Sequence, residues 1–288
     1  MTGPGVLRFH GVRGSIPVPG PATARTGGNT PCVTLEAPDA PLVVLDAGTG
    51  IRTLGDAPPP AAARGIELFL THTHWDHIHG LPFFSPLYAP GAGLRISGPR
   101  QQAGLRAVLE RLAAWEQFPI PATEWRGLGE VRELDQSPVT AGPVTVRPTR
   151  LCHPGTTMGY RLEVRGSEPV AYLTDNELAG GTHGVSPGWH QGLVDFLTGC
   201  GVVIHDTTWD DDEVAGHSGW GHSSPMQAIQ LAADAGCRRL VLFHHHPDYD
   251  DDRLERCWRR AQDLAAREGQ LEVVLATEGM TLELMREG

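Results

Sequence analysis

The densest run of chemically able side chains is Thr71-His72-Thr73-His74-Trp75-Asp76-His77-Ile78-His79-Gly80. In extended backbone alternate side chains point the same way, so His72, His74 and Asp76 can converge on one point while a turn redirects His77. Four imidazole or carboxylate ligands from one short segment suit zinc or a related divalent ion. A lone histidine is ordinarily a surface residue or a satisfied core residue. This spacing, with an aspartate among the histidines, is far more specific.

Such a loop needs a rigid mount. Ile66-Glu67-Leu68-Phe69-Leu70 runs straight into it and reads as a buried strand. Other short apolar runs bounded by Gly and Pro predict strands at Val6 to Phe9, Cys32 to Glu36 and Leu42 to Leu45. Further strands are expected near Val144 to Val146, Tyr160 to Val164, Val170 to Leu173, Val202 to Ile204, Leu240 to Phe243, Leu271 to Leu275 and Thr281 to Leu284. Helices are expected from about Gln101 to Trp115, after Ser224-Pro225, and from about Asp252 to Glu268. This order predicts an α/β (α+β) fold of two sheets packed face to face with helices outside, in a single domain over residues 1–288. Between the first two strands lies a long Pro/Gly-rich loop, residues 11–31, of a length more often functional than empty.

Composition limits the partners. The 288 residues carry a formal net charge of -11, which excludes a broad basic surface for extended nucleic acid. A small anionic substrate remains open if positive charge is local. All the basic side chains are arginine. The cysteines Cys32, Cys152, Cys200, Cys237 and Cys257 are widely spaced with no CxxC pair and read as reduced thiols. No leader-like or membrane-spanning run is present, so a cytoplasmic protein without membrane attachment is expected. A homodimer is one arrangement open to it.

The segment His72-x-His74-x-Asp76-His77 after a buried strand resembles the signature of the metallo-β-lactamase superfamily, whose fold is a four-layer αββα sandwich. The resemblance extends over nearly the whole chain. It implies that Asp46, in Leu45-Asp46-Ala47-Gly48, supports the metal loop from behind; as a bare sequence feature Asp46 is a strand-to-turn exit that caps backbone amides. It further implies His153 in Cys152-His153-Pro154-Gly155 as a third histidine, Asp175 as a carboxylate bridging two metals, and His244 as the last histidine. One ion would take His72, His74 and His153, and the other Asp76, His77 and His244. His246 competes with His244, because side chains alternate along a strand. Histidine at position 74, where a redox-active branch has glutamate, favours zinc hydrolysis, with manganese or iron as alternative occupants.

Two divalent cations about 3.5–4 Å apart can share a water, lower its pKa and stabilise both oxygens of a displacement. The shared hydroxide is then the expected nucleophile, and Asp76 is expected among the catalytic residues as well as among the ligands. Between Asp206 and Gly221-His222-Ser223-Ser224 the chain resembles the phosphodiesterase branch, which includes transfer-RNA 3′-end endonucleases. There His222 would protonate the leaving oxygen and Asp206 would orient it; the plain alternative is a helix start capped by Ser224. The long RNA-grasping arm of those endonucleases is absent between His153 and Asp175, so the likeness is closer to compact members that cleave cyclic nucleotides or cyclic phosphates. In these, Arg13 and Ser15 of Gly11-Val12-Arg13-Gly14-Ser15, together with Asn29, would lie on a loop reaching over the metals, with Arg13 as a fork-shaped phosphate donor. Trp75 would line the pocket. The acidic run Asp210-Asp211-Asp212-Glu213 reads as a solvated loop.

The sequence therefore predicts a dinuclear hydrolase, foremost a phosphodiesterase for a cyclic nucleotide or short RNA end. Two other readings stand beside it: a lactone or thioester hydrolase using the same site, and a non-catalytic ligand or metal sensor.

Overall fold

In the computed structural model, which describes residues 3–179, 183 and 185–286, the apolar runs become two seven-stranded sheets. The first holds β1 (Val6–Gly11), β2 (Cys32–Glu36), β3 (Leu42–Leu45), β4 (Ile66–Phe69), β5 (Leu94–Pro99) and β6 (Leu128–Leu134). The second holds β7 (Val139–Ala141), β8 (Val144–Arg150), β9 (Met158–Val164), β10 (Val170–Leu173), β11 (Val202–Asp206), β12 (Arg239–Phe243) and β13 (Glu272–Leu275). A last strand, β14 (Thr281–Glu283), returns to the first sheet beside β1.

The two sheets share a plan. In the first, β14, β1, β2 and β3 pair antiparallel, and β3 to β6 run parallel. In the second, β7 to β10 pair antiparallel, and β10 to β13 run parallel. Period-two alternation sorts the side chains between layers. On β3, Val43 and Leu45 face the space between the sheets, where Phe9, Tyr160, Leu162 and Tyr172 also lie, while Leu42 and Val44 face outward.

The outward faces are covered by helices. α1 (Ile51–Asp56) buries Ile51 and Leu54 on the first sheet, and the single-turn α2 (Trp75–Ile78) adds Ile78. α3 (Leu105–Arg111) adds Leu105 and Leu109 to the same layer. Over the second sheet lie α4 (Trp189–Leu197), α5 (Pro225–Asp234) and α6 (Asp251–Glu268). The result is the αββα sandwich.

Some elements depart from expectation. The helix expected over 101–115 is only α3: Gly104, at φ 84°, begins it, and beyond Arg111 the bonds tighten to Leu112 N on Leu109 O and Ala113 N on Glu110 O. The strands β5, β6 and β7 and the helices α1, α2 and α4 were not anticipated. β6 is an edge strand whose charged Glu130 and Arg132 pair with each other at 3.0 Å, which hides its apolar alternation. Among the described residues no helix is long and apolar enough to cross a membrane.

What matters for the site is how parallel strands end. Asp46 follows β3, Asp175 lies just past β10 and His244 follows β12, and all three non-glycine residues have positive φ, 61°, 62° and 59°. Such backbone is costly and persists only where surrounding contacts hold it, and it often marks a functional site. Each strand thus turns sharply and delivers a polar side chain at its carboxyl end, where open parallel sheets bind ligands.

The inter-sheet core should govern stability. Leu162→Ala, in that core, is expected to cost about 2–5 kcal/mol in urea unfolding, whereas Phe83→Ala, at an exposed side chain, should cost under about 0.5–1 kcal/mol.

Candidate metal centre

The site is built outward from Asp46. This wholly buried carboxylate accepts from the Thr71 backbone N–H through Oδ1 (2.7 Å), and from His77 Nδ1 (2.9 Å) and the Tyr172 hydroxyl (3.0 Å) through Oδ2. It ties the end of β3 to the start of the histidine loop and fixes the His77 ring so that Nε2 points into the site. Other imidazoles are fixed the same way. His153 Nδ1 donates to the Gly221 carbonyl at 2.9 Å, His72 Nδ1 lies 3.0 Å from Thr71 Oγ1, and His244 Nδ1 lies 3.0 Å from Thr208 Oγ1. A ring nitrogen held from outside directs the other nitrogen inward, the arrangement that orients metal-binding histidines.

The inward atoms form two groups that share Asp175. Asp175 Oδ2 lies 3.6 Å from His72 Nε2 and 3.4 Å from His153 Nε2, and His74 Nδ1 is 3.1 Å from His153 Nε2. Asp175 Oδ1 lies 3.2 Å from both His77 Nε2 and His244 Nε2, while Asp76 Oδ2 lies 3.3 Å from His77 Nε2 and 3.2 Å from His244 Nε2. Ligand atoms about 2.0–2.2 Å from a tetrahedral centre are separated by roughly these distances.

The donor set fits a divalent cation. His72 Nε2 and His77 Nε2 are buried with no hydrogen-bond partner, a costly state for a polar atom unless a ligand meets it. Burial, reinforced by the neighbouring His77 charge, drives the His72 imidazole well below its usual range, and burial pushes His153 down to about 4. Both rings therefore stand neutral with a lone pair available. His77 goes the other way: burial lowers it, but Asp76, Asp175 and Asp46 together raise it well above the ordinary value. Burial likewise works against ionised Asp175, yet His244, His77, His72 and His153 hold it well below the usual carboxylate range. Three carboxylates in a buried pocket create a demand for positive charge.

His222 and Asp206 adjoin these groups. The His222 ring lies 5.1 Å, centroid to centroid, from both His153 and His244, and its Nδ1 is 3.7 Å from Asp206 Oδ1. Burial depresses His222, but Asp206, Asp175 and Asp76 together raise the imidazole above its ordinary value. Asp206 also holds backbone: Oδ2 accepts from Asn176 N (2.6 Å) and Oδ1 from Ser223 N (3.0 Å). Ser224 does sit at the α5 N-cap, with its N–H on Gln227 Oε1 at 3.1 Å, so the helix start and the histidine beside the site coexist.

An open cavity of about 410 Å³ exposes the centre, lined by Ser15, Thr73, His74, Trp75, Asp76, His153, Asp175, His222 and His244. Ser15 donates its backbone N–H to Asp76 Oδ2 at 2.7 Å. Gly14 allows this approach, since a Cβ there would lie 2.4 Å from the His244 ring.

Two expected substrate contacts require correction. Arg13 is 0% exposed: it donates to the carbonyls of Gly27 (2.9 Å), His246 (3.2 Å) and Tyr249 (2.6 Å), so its fork clamps the 11–31 loop to the chain before α6 and meets no substrate. Asn29 does not reach the cavity either; its amide nitrogen donates to Glu278 Oε2 and its oxygen accepts from Thr49. His246 is no rival to His244, because its ring packs between Trp209 and Tyr249, and His245 turns inward to the Ala276 carbonyl. The acidic run is not simply solvated: Asp210 and Glu213 bind Arg260 and Arg253 of α6.

Sequence reasoning missed Tyr172, Thr208, Glu177 and Gly221. Glu177 accepts from the backbone of Gly219 and Gly221 and so shapes the lip that carries His222. Its only signal was a charged residue in Asp175-Asn176-Glu177, two places beyond the expected bridging aspartate.

Fold and donor cluster together define a metal-dependent hydrolase. The family model described as "Beta-lactamase superfamily domain" matches residues 42–245, and the chain belongs to that family. It is similar to Ribonuclease BN of Cronobacter sakazakii, 26% identical over 238 residues covering 68% of this chain and 76% of that protein. In fold it resembles the metallo-beta-lactamase fold protein YhfI from Bacillus subtilis, with TM-score 0.69, 19% identity and coverage of 97% and 99% of the two chains. It also resembles a diphosphatase from the PhnP family, with TM-score 0.67, 20% identity and coverage of 98% and 100%.

Metal should couple to stability. At a free divalent-ion concentration about 100 times Kd, each site is expected to add about 2.7 kcal/mol, raising the melting temperature of chelator-stripped protein in calorimetry. In Gly221→Ala, where a Cβ would lie 2.1 Å from His153 Nδ1, the rise should be much smaller.

Proposed function

We propose that the protein is a dinuclear zinc phosphodiesterase acting on a small phosphodiester, either a cyclic nucleotide or a short RNA end. The observation that carries this reading is His222, set beside both donor groups with Asp206 behind it. Its Nδ1 faces Asp206, which leaves Nε2 to deliver a proton to a leaving oxygen. Asp206 acts through His222 as a positioning residue.

His72, His74 and His153 would hold one ion and Asp76, His77 and His244 the other, with Asp175 shared. Imidazoles with few carboxylates suit zinc. Bound there, the two ions supply an activated water and the positive charge that a phosphate requires. The chain itself offers little such charge: among the described residues no arginine lines the cavity, and Arg13 is locked in the interior. Selection of an anion is then left to the centre and His222.

Substrate size follows from the surroundings. The hairpin β9–β10 occupies the interval between His153 and Asp175, and the cavity volume falls in the range of small-molecule pockets. With a net charge of -11, extended nucleic acid would be repelled. Two relatives bear the names of a ribonuclease and a diphosphatase, which supports chemistry at phosphorus.

Zinc- or manganese-reconstituted protein should hydrolyse bis(p-nitrophenyl) phosphate and bind two ions per chain by elemental analysis; His74→Ala or a chelator should reduce turnover to background. His222→Ala should lower phosphodiester kcat by about 10²–10⁴-fold and lactone hydrolysis far less. Absence of turnover with either ion, or equal losses on both substrates, would sink the reading.

A further inference from the structure

His205 is a wholly buried imidazole that does not line the cavity. Its Nδ1 lies 2.7 Å from the Asp206 carbonyl, which can only accept, so Nδ1 carries the proton and Nε2 keeps a lone pair. Burial holds His205 below its usual range, and the ring stays neutral. The Asn176 amide Nδ2 meets the Nε2 lone pair at 3.0 Å, while Oδ1 of the same amide accepts from the Cys152 backbone N–H at 3.0 Å. One face of this wholly buried side chain must donate and the other must accept, a demand that an amide meets and a carboxylate does not.

Asn176 follows Asp175, the carboxylate that both donor groups share, and it reaches in two directions. Toward His153 it holds Cys152, the preceding residue, and Glu177 N adds a bond to the Cys152 carbonyl at 2.8 Å. Cys152 is thus fastened through both its N–H and its carbonyl. Toward His222 the main chain of Asn176 holds Ser223, the following residue: the Asn176 carbonyl accepts from Ser223 Oγ at 2.7 Å. Asp206 joins the same two residues, taking Asn176 N on Oδ2 at 2.6 Å and Ser223 N on Oδ1 at 3.0 Å. The cycle closes through Glu177 Oε2, which accepts from Gly221 N at 2.9 Å, and the Gly221 carbonyl, which accepts from His153 Nδ1 at 2.9 Å. In a fully satisfied buried network each member fixes the others, and such partners orient metal ligands.

We propose that Asn176 is a positioning residue that sets the register between the candidate ligand His153 and the proton donor His222, acting through Cys152 on one side and Ser223 on the other. It touches neither ion nor substrate. The assignment rests on the phosphodiesterase reading for the role of His222, whereas the arm to His153 depends on the metal centre alone. The amide side chain carries the His153 arm and the main-chain carbonyl carries the His222 arm, so the two can be cut separately.

Zinc affinity, read by competition with a chelator on metal-stripped protein, tests the first arm without requiring turnover. Asn176→Ala leaves the Cys152 N–H without its acceptor and should weaken zinc binding about 10–100-fold, the usual cost of losing a group that orients a ligand. Asn176→Asp restores an acceptor for that N–H and should recover most of the affinity, which separates positioning from failure to fold. Ser223→Ala cuts the second arm: zinc affinity should stay within about twofold, while turnover of a phenyl phosphodiester, whose leaving oxygen needs a proton, should fall about 10–100-fold. The p-nitrophenyl ester, whose leaving oxygen departs readily without one, should lose much less. Unchanged zinc affinity in Asn176→Ala, no recovery in Asn176→Asp, or equal losses on the two esters in Ser223→Ala would overturn the proposal. Absence of phosphodiester turnover in the unaltered protein would remove the phosphodiesterase reading and the His222 arm with it, and the zinc measurements would then decide the His153 arm.

Discussion

A carboxylate taken out of water must find positive charge or dense hydrogen bonding, and Asp175 is buried between four imidazoles. Its two oxygens face different histidine pairs, so neither group can form without the other. The burial of this one side chain dictates that the ends of β4, β10 and β12 converge. Asp46, one layer behind, performs the same service for the loop, where a single carboxylate fastens Thr71, His77 and Tyr172.

The similar plan of the two sheets explains how so many polar groups reach one place. Each sheet contributes parallel strands whose carboxyl ends open toward the same side of the sandwich. The first sheet delivers Asp46 and the 72–77 segment; the second delivers Asp175, Asp206 and His244. Positive φ at Asp46, Asp175 and His244 lets the chain leave the sheet at once, keeping these side chains over the strand ends. The hydrophobic layer between the sheets holds that convergence, because changing the spacing of β10 and β4 would pull Asp175 from His77.

The extent to which this was legible in the sequence follows from distance along the chain. His72, His74, Asp76 and His77 lie on one short segment, so their density revealed a cluster, but extended alternation misplaced Asp76, which sits on α2 and joins His77 and His244 instead of His72 and His74. His153, Asp175 and His244 lie on separate strand ends and were found only through resemblance to a family pattern. Thr208, Tyr172, Glu177 and Gly221 were invisible, since their roles depend on neighbours remote in sequence. Arg13 failed for a different reason. A flexible basic residue in a glycine-rich loop suggests an exposed anion donor, but carbonyl groups from Gly27, His246 and Tyr249 drew its guanidinium inside. The fold itself was easier to read, because buried strands announce themselves as apolar runs; the edge strand β6, with its alternating charges, did not.

The Arg13 clamp also bears on the timing of events at the site. With Thr26 N bonded to Asp251 and Asn29 to Glu278, the 11–31 loop is tied down at several points rather than hinged. These bonds hold the loop, with the Ser15 N–H on Asp76, in one arrangement before any ligand is present. Only the outer lining of the cavity, Ser15, His74 and Trp75 among it, is open to water, while the other donor groups beneath stay buried. The same interior arginine that forfeits a substrate contact therefore keeps the backbone N–H of Ser15 in place against Asp76.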